Sequence, residues 1–259
     1  MIFFFLVLAK DDRYLSSKID ELCSFGFPYS VVCGKKIDLP GVVYRRPIGK
    51  YDAINYGVSL IPEDVDVVIL NDVDTKIFNI EAAMAEFSNE NVDLVFAKVE
   101  VKQGPQQAFY QLLDSIRRKL PIAASGELML IRREALLSAA PMKPCKAEDS
   151  YLLFRALSQK RSVIFSEKCY VLTERTKRAE MEELYKKKTV TGIYQALKYA
   201  SPSFKIRFFY ALLPFLSPFL MLFGTKGYYW SKGILLGFLG YLRGDAEGSW
   251  KTDYMENQD

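Results

Sequence analysis

The 259-residue sequence predicts an α/β fold built on a mostly parallel sheet. Two features of residues 2–100 carry that expectation. Segments with helical spacing alternate with short apolar runs, and those runs are apolar throughout, not at every second position. Strands that read this way are buried on both faces, as in a parallel sheet covered by helices. A third feature lies near the other end, where residues 208–242 are strongly apolar and predict a separate helical hairpin.

Residues 2–8 read as the first buried strand. No positive charge precedes this run, and Lys10, Asp11, Asp12 and Arg13 follow it at once. It is too short for a membrane span and unlike a signal peptide. Residues 14–25 show helical spacing at Leu15, Ile19 and Leu22 and stop near Gly26. Residues 29–33 and 42–44 are β-rich, and 50–60 read as a helix between Gly49 and Pro62. The run 65–70 is almost all β-branched and stops at Asn71-Asp72-Val73-Asp74. A helix over 80–87 and a strand over 92–99 follow.

Beyond residue 100 the order loosens. Helices are predicted over 106–120, 133–139 and 150–157, with strands at 128–131, 163–165 and 170–172. A long polar helix or helix pair spans 176–200, with an apolar stripe at Val190, Ile193, Tyr194 and Leu197. Residues 208–224 carry no charge but hold Pro214 and Pro218. Thr225-Lys226-Gly227 predicts a turn, and 228–242 are again aromatic and aliphatic. The expected organisation is a catalytic domain over 1–175, a basic linker over 176–207, a membrane-associated hairpin over 208–244 and a polar tail over 245–259.

Composition narrows the chemistry. There is no histidine, which removes Ser-His-Asp and Cys-His nucleophiles, His-ligated metals and a His general base. The four cysteines (Cys23, Cys33, Cys145, Cys169) form no Cys-x-x-Cys motif and read as reduced, buried cytosolic thiols. The net charge is +4, and residues 174–207 hold nine basic and four acidic residues. A basic block on one segment argues for a local anionic partner and against a generally nucleic-acid-coated surface.

Three constellations could carry chemistry. Asp72 and Asp74 follow an apolar strand, and alternate residues of an extended segment project to one side. Ligands of open α/β sheets gather at the carboxyl ends of strands. Two hard oxygen ligands suit magnesium or manganese on a diphosphate, although Asp-x-Asp pairs also mark plain turns. Glu148 and Asp149 open a helix, where a carboxylate is stabilised by the dipole; the same pair could serve as a general base. The third is Gly49-Lys50-Tyr51-Asp52-Ala53-Ile54-Asn55-Tyr56-Gly57, a helix start able to face a phosphate or to pack closely through Ala53 and Gly57.

Together and in this order, these motifs resemble the family 2 glycosyltransferases with the GT-A fold. The resemblance covers roughly residues 1–175. It includes the Ala124-Ser125-Gly126-Glu127-Leu128-Met129 segment on the acceptor side and Leu152 and Arg155 behind Glu148-Asp149. It implies inverting transfer of a sugar from a nucleotide-diphosphate donor to a hydroxyl. It makes Asp72 a contact to the nucleotide sugar and, with Asp74, part of a manganese or magnesium site. It makes Asp149 the catalytic base with Glu148 beside it. Ala9, Lys50 and Asn55 fall where this family lines the donor pocket, and Arg175 where a basic residue closes over the diphosphate. The sequence departs from the family after the second strand. Where many members carry an acid for the nucleobase and ribose, it reads Val32-Cys33-Gly34-Lys35. The Gln-x-x-Arg-Trp motif of processive synthases is absent.

The apolar tail predicts a membrane device. Each half is short for a 30 Å hydrocarbon core, so an in-plane or re-entrant hairpin is expected. Tyr228, Tyr229 and Trp230 would sit among headgroups and Lys232 would snorkel. The competing expectation is a helical pair packed on the domain or in a dimer. The basic block would face anionic lipid, with the catalytic domain on the cytoplasmic side. A lipid-linked acceptor follows from that location. Two other classes compete: a sugar nucleotidyltransferase, which needs a glycine-rich loop where Ala9-Lys10-Asp11-Asp12-Arg13 stands, and a non-catalytic membrane scaffold, which would bind no nucleotide.

Overall fold

The computed structural model describes residues 1–101, 107–173 and 178–244. Strands β1 (Phe3–Ala9), β2 (Tyr29–Cys33), β3 (Val42–Tyr44), β4 (Val67–Asp72), β5 (Lys76–Phe78), β6 (Val92–Val101), β7 (Leu128–Arg132) and β8 (Ser162–Thr173) form one sheet, in the order β3-β2-β1-β4-β7-β6-β8-β5. The pairs β1–β2, β2–β3, β1–β4 and β6–β8 are parallel. β7 runs antiparallel to both β4 and β6, and β5 antiparallel to β8.

β1 is buried at every residue, as a central strand should be. Phe4, Leu6 and Leu8 face one core, and Phe3, Phe5, Val7 and Ala9 the other. The second core lies under helices α1 (Leu15–Phe25) and α3 (Ile80–Ala85). There Phe5 is wholly buried and stacks on Phe25 with ring centroids 5.6 Å apart. The first core lies under α2 (Lys50–Val58), α5 (Arg133–Ala139) and α6 (Glu148–Ser158). It continues beneath α7 (Ala179–Ala200), α8 (Phe204–Leu216) and α9 (Gly224–Arg243). Helix α4 (Gln107–Arg117) completes the set of described α-helices.

Two sequence expectations are corrected, one strand is added and the choice between one helix and two over 176–200 is settled. The strand-like runs at 163–165 and 170–172 belong to one strand, β8. Its register against β6 jumps between Ala97 and Lys98, from Ser166 to Tyr170, so Glu167, Lys168 and Cys169 bulge out of the pairing. β5 is too short to leave a periodic signal; Lys76 pairs with Leu172 and Phe78 stacks on Tyr170. The segment 176–200 contains one unbroken helix, α7, of 22 residues. The turn expected at Thr225-Lys226-Gly227 lies inside α9. The chain breaks earlier, in a 3₁₀ segment Ser217–Phe223 that ends at Gly224 with φ +75°, because Pro218 cannot donate into a continuing helix.

α9 is strapped to α7 by close approach. A Cβ on Gly233 would stand 2.7 Å from the Glu183 carbonyl oxygen, and one on Gly237 2.7 Å from that of Lys187. Thr191 Oγ1 donates to the Gly237 carbonyl at 3.0 Å. Trp230 is buried and donates from Nε1 to Glu182 at 3.1 Å, and Lys232 pairs with Glu183 at 2.8 Å. Two residues expected among lipid headgroups are thus engaged with α7.

α8 and the 3₁₀ segment behave differently. Ile206, Tyr210, Pro214 and Ser217 turn inward. Phe204, Phe208, Phe215, Phe219, Leu222 and Phe223 turn outward, with Phe204 78% and Leu222 83% exposed. By length and composition alone, Phe204–Arg243 could cross a membrane.

Candidate active site

The site lies where β1 and β4 end. A cleft there is lined by Leu8, Ile54, Leu70, Asn71, Asp72, Gly126, Met129, Glu148, Asp149 and Leu152. Residues from four motifs meet in it, although they are far apart in the chain.

Asp72 is the last residue of β4, and its N–H donates to the Glu127 carbonyl at 3.2 Å. The sequence predicts an extended segment at Asp72-Val73-Asp74. The structure shows a turn instead. The Thr75 N–H and hydroxyl both donate to the Asp72 carbonyl, at 3.4 and 2.9 Å. Asp72 faces Lys50 at 2.5 Å, and Asp74, two residues on in the turn, is exposed.

This turn is held by a buried network that sequence reasoning missed. Lys18 of α1 is 2% exposed. Its ammonium donates to Glu21 at 2.6 Å, to Asn71 Oδ1 at 2.8 Å and to the Thr75 carbonyl. Asn71 Nδ2 donates to Thr75 Oγ1 and to the Glu127 carbonyl, and Glu21 accepts the Ile77 N–H at 2.8 Å. Every polar group of this network is used, the condition under which a buried charge is tolerated. The signal was present in the sequence: Lys18 stands three after Leu15 and four before Leu22, on the apolar stripe of its helix.

Lys50 opens α2 and bridges the two acidic motifs, reaching Asp72 at 2.5 Å and Glu148 at 3.5 Å. Burial opposes its charge, but Asp72 and Glu148 outweigh it and hold its pKa well above the ordinary lysine value. Asp72 moves the other way. Burial pushes it up to about 6, with Asp74 adding and Lys50 opposing.

Glu148 and Asp149 both lie in the first turn of α6. Asp149 accepts the Ser150 N–H at 2.6 Å. Burial pushes its pKa up to about 7, and Glu148 and Glu127 add to the rise while the Ser150 N–H and Lys50 oppose it. Gly126 makes room for it: a Cβ there would stand 3.1 Å from Asp149 Cβ.

Other expected residues sit apart from the cleft floor. Asn55 uses its whole amide on Met142, donating to the carbonyl at 3.0 Å and accepting the N–H at 2.7 Å. Ala9 is wholly buried, and its carbonyl accepts the Gly34 N–H at 2.9 Å. Arg175 lies outside the described residues. The loop after β1 lies against the segment that follows the second strand. Asp12 pairs with Lys35 at 2.6 Å, and Cys33 Sγ contacts the Asp11 carbonyl.

Among the described residues no three His, Cys, Asp or Glu side chains form a metal cluster. Asp74 is exposed, and neither a hydrogen bond nor an ion pair to a described residue occupies it. One or two carboxylates suffice for a divalent ion that takes its other ligands from water and a diphosphate. The donor set of Asp72 and Asp74 fits such an ion.

Comparison with solved structures places the architecture. The mannosyltransferase PcManGT from Pyrobaculum calidifontis, solved with GDP-Man and Mn2+, matches 94% of this chain and 88% of its own, with TM-score 0.63 at 14% identity. S. aureus TarS 1–349 matches 95% of this chain and 92% of its own, with TM-score 0.54 at 14% identity. This chain has the GT-A fold. M. tuberculosis glucosyl-3-phosphoglycerate synthase is similar over 78% of this chain and 81% of its own, with TM-score 0.53 at 15% identity. No protein-family model and no curated protein sequence matches the chain. At these identities the GT-A likeness is one of fold.

Proposed function

We propose that this chain is an inverting, non-processive glycosyltransferase of the family 2 type, acting on a nucleotide-diphosphate sugar at a membrane surface. The observation that carries this reading is the Lys50 bridge, which sets the Asp72-Asp74 turn and the Glu148-Asp149 pair on either side of one cleft in a GT-A fold. That PcManGT, similar to this chain in fold, was solved with GDP-Man and Mn2+ supports it.

Each residue then has a task. Asp149 takes the proton of the acceptor hydroxyl as that oxygen attacks the anomeric carbon; the bond from that carbon to the diphosphate breaks, and its electrons leave with the diphosphate. A pKa near neutrality suits a base that must be free yet able to accept a proton. Lys50, near the leaving group, supplies positive charge where negative charge develops. Asp72 and Asp74 would hold manganese or magnesium, which when bound neutralises the diphosphate. Gly126 leaves the acceptor room beside Asp149.

Calorimetric titration of UDP and GDP with manganese tests the donor half. One nucleotide should bind only with metal, and Asp74→Asn should abolish that binding. A folded protein that binds neither would overturn the reading in favour of a non-catalytic scaffold.

The acceptor is proposed to be lipid-linked, presented at the anionic cytoplasmic leaflet. The outward stripe of α8 and the 3₁₀ segment is the attachment surface, and residues 202–244 contain no acidic residue while Lys205 and Arg207 flank that stripe. On its inner face, the Tyr210 hydroxyl donates to the Ile122 carbonyl at 2.6 Å, and the Asp149 charge acts on it. The inner face of α8 thus meets α6, whose Phe154 ring lies 5.8 Å from that of Tyr210. Flotation with vesicles containing anionic lipid should recover the protein, and Phe215→Glu with Phe219→Glu should reduce recovery at least tenfold. Unchanged recovery would rule out this surface.

A further inference from the structure

Reading the cleft as a transferase site leaves Lys188 without a task. Lys188, Gly192 and Gln195 are spaced by four and three on α7 and so share one stripe. The two later members are fixed against the lead-in to α6. A Cβ on Gly192 would stand 2.5 Å from the Ala147 nitrogen, and Gln195 accepts the Lys146 N–H at 3.0 Å. Residues 146 and 147 run straight into Glu148 and Asp149. Lys188 lies one turn earlier on that stripe, and helical side chains lean toward the helix start. The opposite side of α7, through Glu183, Lys187 and Val190, is taken up by α9.

Lys188 is half-buried and makes no hydrogen bond or ion pair with a described residue. The charges acting on it include Lys50, Glu148, Asp72 and Lys146, in keeping with its place on the stripe that faces the lead-in to α6. Burial and Lys50 draw its pKa below the ordinary lysine value, with Glu148 and Asp72 opposing. A lysine kept for packing would hold a carboxylate or carbonyl, as Lys18 does. A partly desolvated ammonium with two further lysines near it and no bonded acceptor is suited to an incoming anion.

We propose that Lys188 is a substrate contact, donating to a phosphoryl oxygen of a ligand bound in the cleft beside the first turn of α6. The inference rests on the transferase reading. Two sources offer that chemistry: the leaving diphosphate of the donor, and the phosphate of a phosphorylated acceptor.

The experiment uses the full chain as wild type, Lys188→Met, Lys188→Gln, Lys188→Arg and, as control, Lys198→Met on the exposed side of α7. Calorimetry measures UDP and GDP with manganese in one arm and a short-chain prenyl phosphate in the other. Thermal melts confirm folding, and the glutamine variant serves if methionine disturbs the packing. The neutral variants should weaken one arm about tenfold or more, since a charge-assisted hydrogen bond is lost. Lys188→Arg should stay within about threefold, and Lys198→Met should not change. Loss in the nucleotide arm assigns Lys188 to the leaving diphosphate, and loss in the prenyl phosphate arm to the acceptor. Wild-type affinity of the neutral variants in every arm that wild type binds overturns the inference alone. A wild type that binds no anion in either arm overturns both the inference and the transferase reading.

Discussion

Asp149 shows how a site residue works against the stability of its own fold. Its ordinary pKa of 3.8 is pushed up to about 7 by burial and by Glu148. A carboxyl group raised on folding contributes stability that is present below its unfolded pKa and lost as pH rises through the folded one. At pH 8 the folded protein therefore bears the cost of a charge with little solvation. Asp149→Asn should melt a few degrees higher than wild type at pH 8, with no gain at pH 4. The same variant should lose at least about a hundredfold in transfer, the usual worth of a general base. For wild type, kcat/KM should rise with pH and level off above about 7. A pH-independent rate would remove Asp149 from the role of base. Residue types at this scale were legible: of the Asp-x-Asp and Glu-Asp pairs identified from sequence, Asp72, Glu148 and Asp149 line one cleft. The use of Asn55 was not, since its partner Met142 lies 87 residues away.

At the scale of elements, the contrast is between α8 and α9. Both derive from one apolar stretch, and composition alone treats them alike. What separates them is the placing of small residues. Gly233 and Gly237 recur every four residues and let α9 lie on α7 at backbone distance. α8 has no glycine on its outward face and presents aromatic rings instead. Gly237→Leu should force α9 off α7, because its side chain would start within contact of the Lys187 carbonyl and Val190. A loss of about 1–3 kcal/mol in chemical denaturation is expected, as for other overpacked interfaces. Gly244→Ala, at the end of α9 with nothing within 4 Å of its Cβ, is the comparison that isolates packing from helix-end backbone strain. Boundaries at this scale were partly legible. The proline-bearing break was expected but placed several residues late, since Thr225-Lys226-Gly227 has turn composition yet starts a helix.

Over the whole molecule, one sheet carries two cores, and its central strand serves both. Phe5→Ala would remove a ring that is wholly buried and stacked on Phe25. A cost of about 3–5 kcal/mol is expected, lowering the melting temperature on the order of 10 °C. Mn2+-dependent nucleotide binding at low temperature should survive in this variant, because the cleft lies at the strand ends and not in the second core.

The sequence by itself determined the α/β class, the buried strands and the two acidic motifs. These depend on local periodicity and on which side chains occupy a strand end or a first helical turn. Only the tertiary structure decided three things: that Lys50 joins the two motifs, that Lys18 locks the turn between Asp72 and Thr75, and that α9 is packed while the outward face of α8 is not. Each depends on contacts between residues far apart in the chain, and no local pattern encodes which distant partner a charge or a glycine will meet.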